Sequence, residues 1–218
     1  MRTTIIRKAA LTAAGLAFTG GAIAGPITTA HAAPTTHTTS TQTDRKPTSE
    51  RQLDVRYEAQ PNFYYCGPAA TRNALSVQGK NIDMDTMAKE MGTTEAGTNS
   101  INDITPILNK ETGKNIYHSI EIPGPKATTK QTDKLRDDIV RTIDNNHALV
   151  ANIAGTTTDT TGNTHSFEGG HYISIVGYHN GGDTVTIADS ANPNTASYQI
   201  TTDNLANWIA TRGYTATN

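Results

Sequence analysis

The chain has 218 residues, a formal net charge of -2 and an apolar content of 35%, the profile of an ordinary globular protein rather than a disordered or membrane-embedded one. With charge near zero and no basic cluster, it lacks the electrostatic footprint of a nucleic-acid binder. A single cysteine, Cys66, excludes a disulfide framework within the chain.

The N-terminal stretch reads as a targeting signal. Arg2, Arg7 and Lys8 form a positive region, Ala9 to Ile27 is apolar or small and uncharged, and Ala30-His31-Ala32 supplies the small residues a signal peptidase needs. Gly20, Gly21, Gly25 and Pro26 interrupt the stretch and weigh against a membrane anchor. Residues 1–32 are therefore expected to be a cleaved signal peptide and the product to be secreted, with no later segment able to span a bilayer. Residues 33–50, rich in Thr and Ser with Pro34 and Pro47, are too poor in large apolar groups to order themselves and read as a flexible tail. Residues 51–218 are left as one domain, expected to be monomeric. In an exported chain a lone thiol is a dimer bridge, a packed hydrophobe or a reagent, and its neighbours decide which.

Leu53, Val55 and Tyr57 alternate with polar residues as a half-buried strand would, ending at Pro61-Asn62. A helix opens at Cys66, with Pro68 in the first turn where no backbone donor is needed, and Gly79 closes it. Two short helices follow, from Met84 to Met91 before Gly92 and from Ser100 to Thr112 before Gly113, the second with Pro106 as a potential kink site. A fourth spans Thr132 to Asn145, with Leu135, Ile139 and Ile143 on one face and Asp133 in the first turn. Strands are then predicted over Ala148 to Ala154, Tyr172 to Tyr178 and Val185 to Ala188, the last two joined by the turn Asn180-Gly181-Gly182-Asp183. A Trp208-bearing helix near Asp203 to Thr211 completes the chain. Helices lead and strands trail, which argues an α+β fold with a helical layer on one side of a mostly antiparallel sheet.

Four residues carry the candidate chemistry. Cys66 sits at a helix N-terminus, where unpaired backbone donors and the helix dipole stabilise a thiolate. Gln60, six residues earlier, is within reach of the thiol and would add an amide donor for a developing oxyanion. His171 enters an apolar strand behind Gly169-Gly170, glycines that admit close approach by substrate or backbone. Asp189 ends the next strand and could orient the imidazole. Each has a plainer reading: a packed cysteine, a loop glutamine, a structural histidine, a turn aspartate. A metal set of His165, Glu168 and His171 lacks a paired-His helix motif or a cysteine pair, so no metal or cofactor is expected.

Strand parity tests the fourth residue. A two-residue turn at Gly181-Gly182 puts Asp189 opposite Ser174, on the wrong face for His171, and pairs His171 with Asn192 instead; a three-residue loop, or a bulge, returns Asp189 to the face of His171.

Gln60, Cys66-Gly67-Pro68-Ala69-Ala70, Gly97-Thr98, Gly170 through Tyr178 and the strand ending in Asp189 resemble the C39-like branch of the papain-like cysteine peptidases, over about Leu53 to Gly213. The resemblance implies a papain-like fold and hydrolysis of peptide bonds. It also implies roles: Cys66 as nucleophile, His171 as base, Asp189 as its orienting acid and Gln60 at the oxyanion hole. The family's aspartate is commonly followed by proline; here Ser190 follows. Two alternatives come with the same residues: a transglutaminase-like acyl transfer, in which an amine takes the acyl group, and a non-enzymatic cell-envelope binding module.

Overall fold

The computed structural model describes residues 49–218. The expected signal peptide and all but the end of the expected tail lie outside the described residues. In chain order come β1 (Arg51–Gln52), α1 (Cys66–Ser76), α2 (Met84–Glu90), α3 (Ile101–Thr112), β2 (Tyr117–Glu121), α4 (Thr129–Asp144), β3 (Leu149–Thr158), β4 (Thr164–His179), β5 (Thr184–Ala188), β6 (Ser197–Thr201), α5 (Thr202–Ile209) and β7 (Gly213–Thr217). The strands form one antiparallel sheet in the order β2-β7-β3-β4-β5-β6, with β1 paired to β4.

The sheet centre is covered on both faces, so helices do not lie on one side alone. Every residue of β4 from His171 to Tyr178 is buried, the continuous run expected of a strand buried on both sides. Ser174 Oγ donates to Ala70 O of α1 at 2.7 Å, whereas Tyr178 donates to Asp144 of α4 at 2.8 Å. α1 packs on α2 and α3, and α4 packs on α5. The α4 face is as expected, with Leu135, Ile139 and Ile143 fully buried.

Two corrections have physical causes. The strand expected at Leu53 to Tyr57 stops at Gln52 apart from one further bond, Leu53 N to Val176 O at 2.8 Å. The next residues are extended because side chains of α1 clamp them: Arg56 N donates to Ser76 Oγ at 3.0 Å and Glu58 N to Asn73 Oδ1 at 2.9 Å. Half-burial against a helix gives the same alternation as half-burial in a sheet. Second, α4 begins one turn before Thr132, at a capping box in which Thr128 and Gln131 each satisfy the other's backbone N–H. Asp133 thus lies outside the first turn and pairs with Arg136 at 2.7 Å. As expected, α3 holds Pro106 in its interior, between its Ser100–Asp103 capping box and Gly113. Among the described residues no helix is long and apolar enough to cross a membrane.

Candidate active site

Cys66 is the first residue of α1, and Tyr65, which caps that helix, makes no side-chain cap hydrogen bond. The N-terminal donors of α1 are thus not taken by a side-chain cap, and Cys66 stands at that end of the helix. The next position must be glycine, since a Cβ on Gly67 would collide with Thr98 Oγ1. That contact seats the loop Gly97-Thr98 against the helix start and forms one wall of a cleft of about 160 Å³, whose lining includes Cys66, Thr98, Gly170, His171 and Arg212.

His171 is held across this cleft by β4. Opposite Ile153 the pairing with β3 is regular, but it resumes only at Gly155 with Phe167, so the segment just before His171 bulges. Gly170 takes a positive φ of 95° in that bulge, a conformation available to glycine. Phe167 folds back under the imidazole, the rings stacked 4.0 Å apart.

His171 Nε2 bonds Asp189 Oδ1 at 2.7 Å, leaving Nδ1 unengaged by the acid; Cys66 lines the same cleft, and its interaction with the ring favours the protonated form. The register explains how the acid arrives. Next to the turn, His179 pairs with Thr184 and Tyr178 with Val185, the same register as a two-residue turn at Gly181-Gly182, which points Asp189 away. A bulge between Ile175 and Gly177 then shifts the pairing so that Ser174 faces Ala188. One step further along this register Asp189 faces Ile173, on the same face as His171. Asn192, the alternative partner, instead accepts a bond from Asn194 N at 2.9 Å in a turn of its own.

The carboxylate is fixed at both oxygens. Oδ1 also accepts the Ala191 N–H at 2.9 Å, and Oδ2 accepts the Tyr198 hydroxyl at 2.9 Å. Tyr198 lies in β6, and His165 stacks on it at 3.9 Å. Tyr198 was not among the expected site residues, although the alternation Ser-Tyr-Gln-Ile-Thr over Ser197–Thr201 is a short strand signal. Arg212 was missed as well, and nothing in its local sequence marks it.

Gln60 is anchored beside the acid's strand. Its backbone N–H donates to Ser190 O at 3.0 Å, its Oε1 accepts from Ser190 Oγ at 3.0 Å, and its Nε2 donates to Asn62 O at 2.9 Å. Ser190, where the family commonly has proline, is thereby the residue that orients the amide. The set His165, Glu168 and His171 does not converge: His165 bonds Asp159 at 3.0 Å, Glu168 bonds Thr156 at 2.8 Å, and His171 bonds Asp189.

The electrostatics favour a charged imidazole. Burial alone would push His171 down, but the hydrogen bond and charge of Asp189, together with Cys66, outweigh it and lift the ring to about 9. Burial likewise opposes ionisation of Asp189, and the bonds from His171, Ala191 and Tyr198 overcome it, holding the carboxyl below its ordinary value. An imidazole between a carboxylate and a thiol can take the thiol proton and keep it as imidazolium.

A cysteine at the start of α1 and a histidine in β4 thus line one cleft, the histidine bonded to an aspartate just past β5. The chain belongs to the Peptidase_C39 like family, whose model matches residues 52–216. Among solved structures it is similar to a putative C39-like peptidase from Bacillus anthracis, at 11% identity and a TM-score of 0.50, covering 77% of this chain and 98% of that one. It is also similar to the peptidase domain of Streptococcus ComA, a bifunctional ABC transporter involved in a quorum-sensing pathway, at 15% identity and a TM-score of 0.49, covering 74% and 97%. A third similar structure is the bromelain protease of Ananas comosus, at 6% identity and a TM-score of 0.45, covering 78% and 99%. At these identities the likeness concerns the fold. No curated protein matches the chain significantly.

Proposed function

We propose that the chain is a secreted cysteine peptidase that hydrolyses peptide bonds through a thioester on Cys66. The observation that carries this reading is that Cys66 at the start of α1 and His171 line one cleft, with the imidazole bonded to Asp189 at 2.7 Å. In the proposed reaction the Cys66 proton moves to His171 and the sulfur attacks the scissile carbonyl carbon. The oxygen that becomes negative is met by the N-terminal donors of α1 and by the second Nε2 hydrogen of Gln60, the first being engaged by Asn62. Collapse breaks the C–N bond as His171 returns the proton to the leaving amine. Water, deprotonated by the now neutral His171, attacks the thioester; the acid product leaves and the thiol is restored. Export rests on the charge and apolar pattern of residues 1–32.

The test is incubation of the wild-type chain with a mixed peptide library, followed by mass analysis, beside Cys66→Ala and Cys66→Ser. New termini in the wild-type digest and none in either variant support the reading; equal cleavage by either variant overturns it. A labelled primary amine added to the same reactions separates hydrolysis from acyl transfer, because incorporation of the amine at the expense of the free acid would make the chain a transferase. N-terminal sequencing of the exported product should begin at Ala33.

A further inference from the structure

The cleft continues beyond the thiol. Arg212 lines the cavity that holds Cys66 and His171, and it also lines an adjoining one of about 170 Å³ bounded by Ser100, Glu121 and Thr211, with Asn99 and Asn152 shared between the two. Its guanidinium lies over Gly170, with Nη2 3.5 Å and Cζ 3.8 Å from where a Cβ on that glycine would sit. The residue before the imidazole is thus bare where the cation needs room.

The backbone is built to deliver this side chain. Thr211 has a φ of 67°, a conformation β-branched residues rarely adopt, and its N–H is fixed by Ile122 O at 2.7 Å and Gly124 O at 3.0 Å. On the other side of Arg212, a Cβ on Gly213 would lie 2.7 Å from Ile120 O and 2.9 Å from Ile101 Cγ2. Arg212 is pinned between a strained residue and a tightly packed one.

Among the described residues no carboxylate forms an ion pair with this charge. Arg212 Nε is buried with no hydrogen-bond partner among the described residues. Glu121, the carboxylate of the outer cavity, is held by Asn102 Nδ2 at 3.1 Å, and Asp103 is engaged in the Ser100 cap at 2.9 Å. Asn152 directs its amide nitrogen to Tyr172 Oη at 3.0 Å. A guanidinium that lines the cleft and carries a buried donor left without a partner calls for an anionic acceptor on the ligand.

We infer that Arg212 is a specificity-determining residue that selects peptides bearing a carboxylate close to the bond cut, either an acidic side chain or a free C-terminal carboxylate. The inference rests on the peptidase reading for its substrate class, but not for the existence of the carboxylate site. Two pairs of peptides distinguish the sources: Glu against Gln at positions flanking the scissile bond, and free acid against amide at the C-terminus of short peptides. In Arg212→Gln the ratio of kcat/KM for the carboxylate member over the neutral one should fall by roughly tenfold to a hundredfold, the range for a hydrogen bond to a charged group. Arg212→Lys should restore part of it, and the pair whose ratio falls names the source. Equal ratios in wild type and Arg212→Gln for both pairs would overturn the inference.

A second readout needs no peptide substrate. Alkylation of Cys66 by iodoacetate relative to iodoacetamide measures attraction of a carboxylate into the cleft, and this ratio should drop in Arg212→Gln with the thermal midpoint recorded alongside. If the alkylation ratio drops but no peptide is cleaved, the carboxylate site stands and the peptidase reading fails. If peptides are cleaved while every ratio is unchanged, the reverse holds.

Discussion

Tyr198 Oη and Asp189 Oδ2 are joined by a 2.9 Å hydrogen bond, and the opposite oxygen of the same carboxylate receives His171. The tyrosine therefore sets the plane in which the acid meets the imidazole. Tyr198→Phe should lower kcat by roughly fivefold to tenfold with little change in KM, as expected for a lost bond of about 1 kcal/mol. Because that bond favours the ionised carboxyl, its loss should raise the Asp189 pKa and move the acid limb of the pH–rate profile upward. A profile superimposable on wild type would make Tyr198 a packing residue.

Asp189→Asn should shift the basic limb instead. With the carboxylate gone, the chief support for the imidazolium disappears, so the His171 pKa should drop from about 9 and the fall of kcat with rising pH should come earlier. The rate at neutral pH should decrease on the order of 10³- to 10⁴-fold if the aspartate acts as in other triads. Titration of the His171 ring by NMR in wild type and variant checks the direction directly.

Stability should carry the same signature with defined signs. His171 is raised above its ordinary 6.5, so its contribution is complete below that value and is lost as pH climbs through about 9. Asp189 is lowered, so its contribution is present above 3.8 and disappears as pH falls through its depressed folded value. The thermal midpoint should thus decline on both sides of mildly acidic pH, and Asp189→Asn should flatten both declines.

The Ser190–Gln60 pair makes a coupled prediction. Gln60→Ala should raise the barrier by about 2.7 to 4 kcal/mol, seen in kcat, if it acts as other single oxyanion donors do. Ser190→Ala removes the bond to Oε1 and frees the amide to turn, so a smaller loss is expected in the wild-type background and none in the Gln60→Ala background. Independent, additive losses would show that Ser190 acts elsewhere.

Much of this site is legible in local sequence because helix starts advertise themselves. Cys66-Gly67-Pro68 marks the N-terminus of α1 by the proline it tolerates there, and Gly169-Gly170 marks the bulge before His171. The strands β2 and β7 escape such reading: each has five residues, and each is defined by its sheet neighbour more than by its own pattern. The 53–57 segment misleads for the opposite reason, since clamping by Asn73 and Ser76 imitates a ladder. The bulge between Ile175 and Gly177 is a tertiary property. Gly177 is glycine because β1 presses on it, where a Cβ would lie 2.9 Å from Arg51 O, and no count of turn residues contains that fact.

The central claim is that Cys66 acts as a nucleophile because His171 and Asp189 make it one. It is tested most directly by reacting the folded chain with a peptidyl electrophile and mapping the modified residue by mass. One adduct on Cys66 is predicted, formed rapidly in the wild type and slowly in His171→Ala. An adduct on another residue, or a Cys66 adduct forming equally fast without His171, would contradict the account.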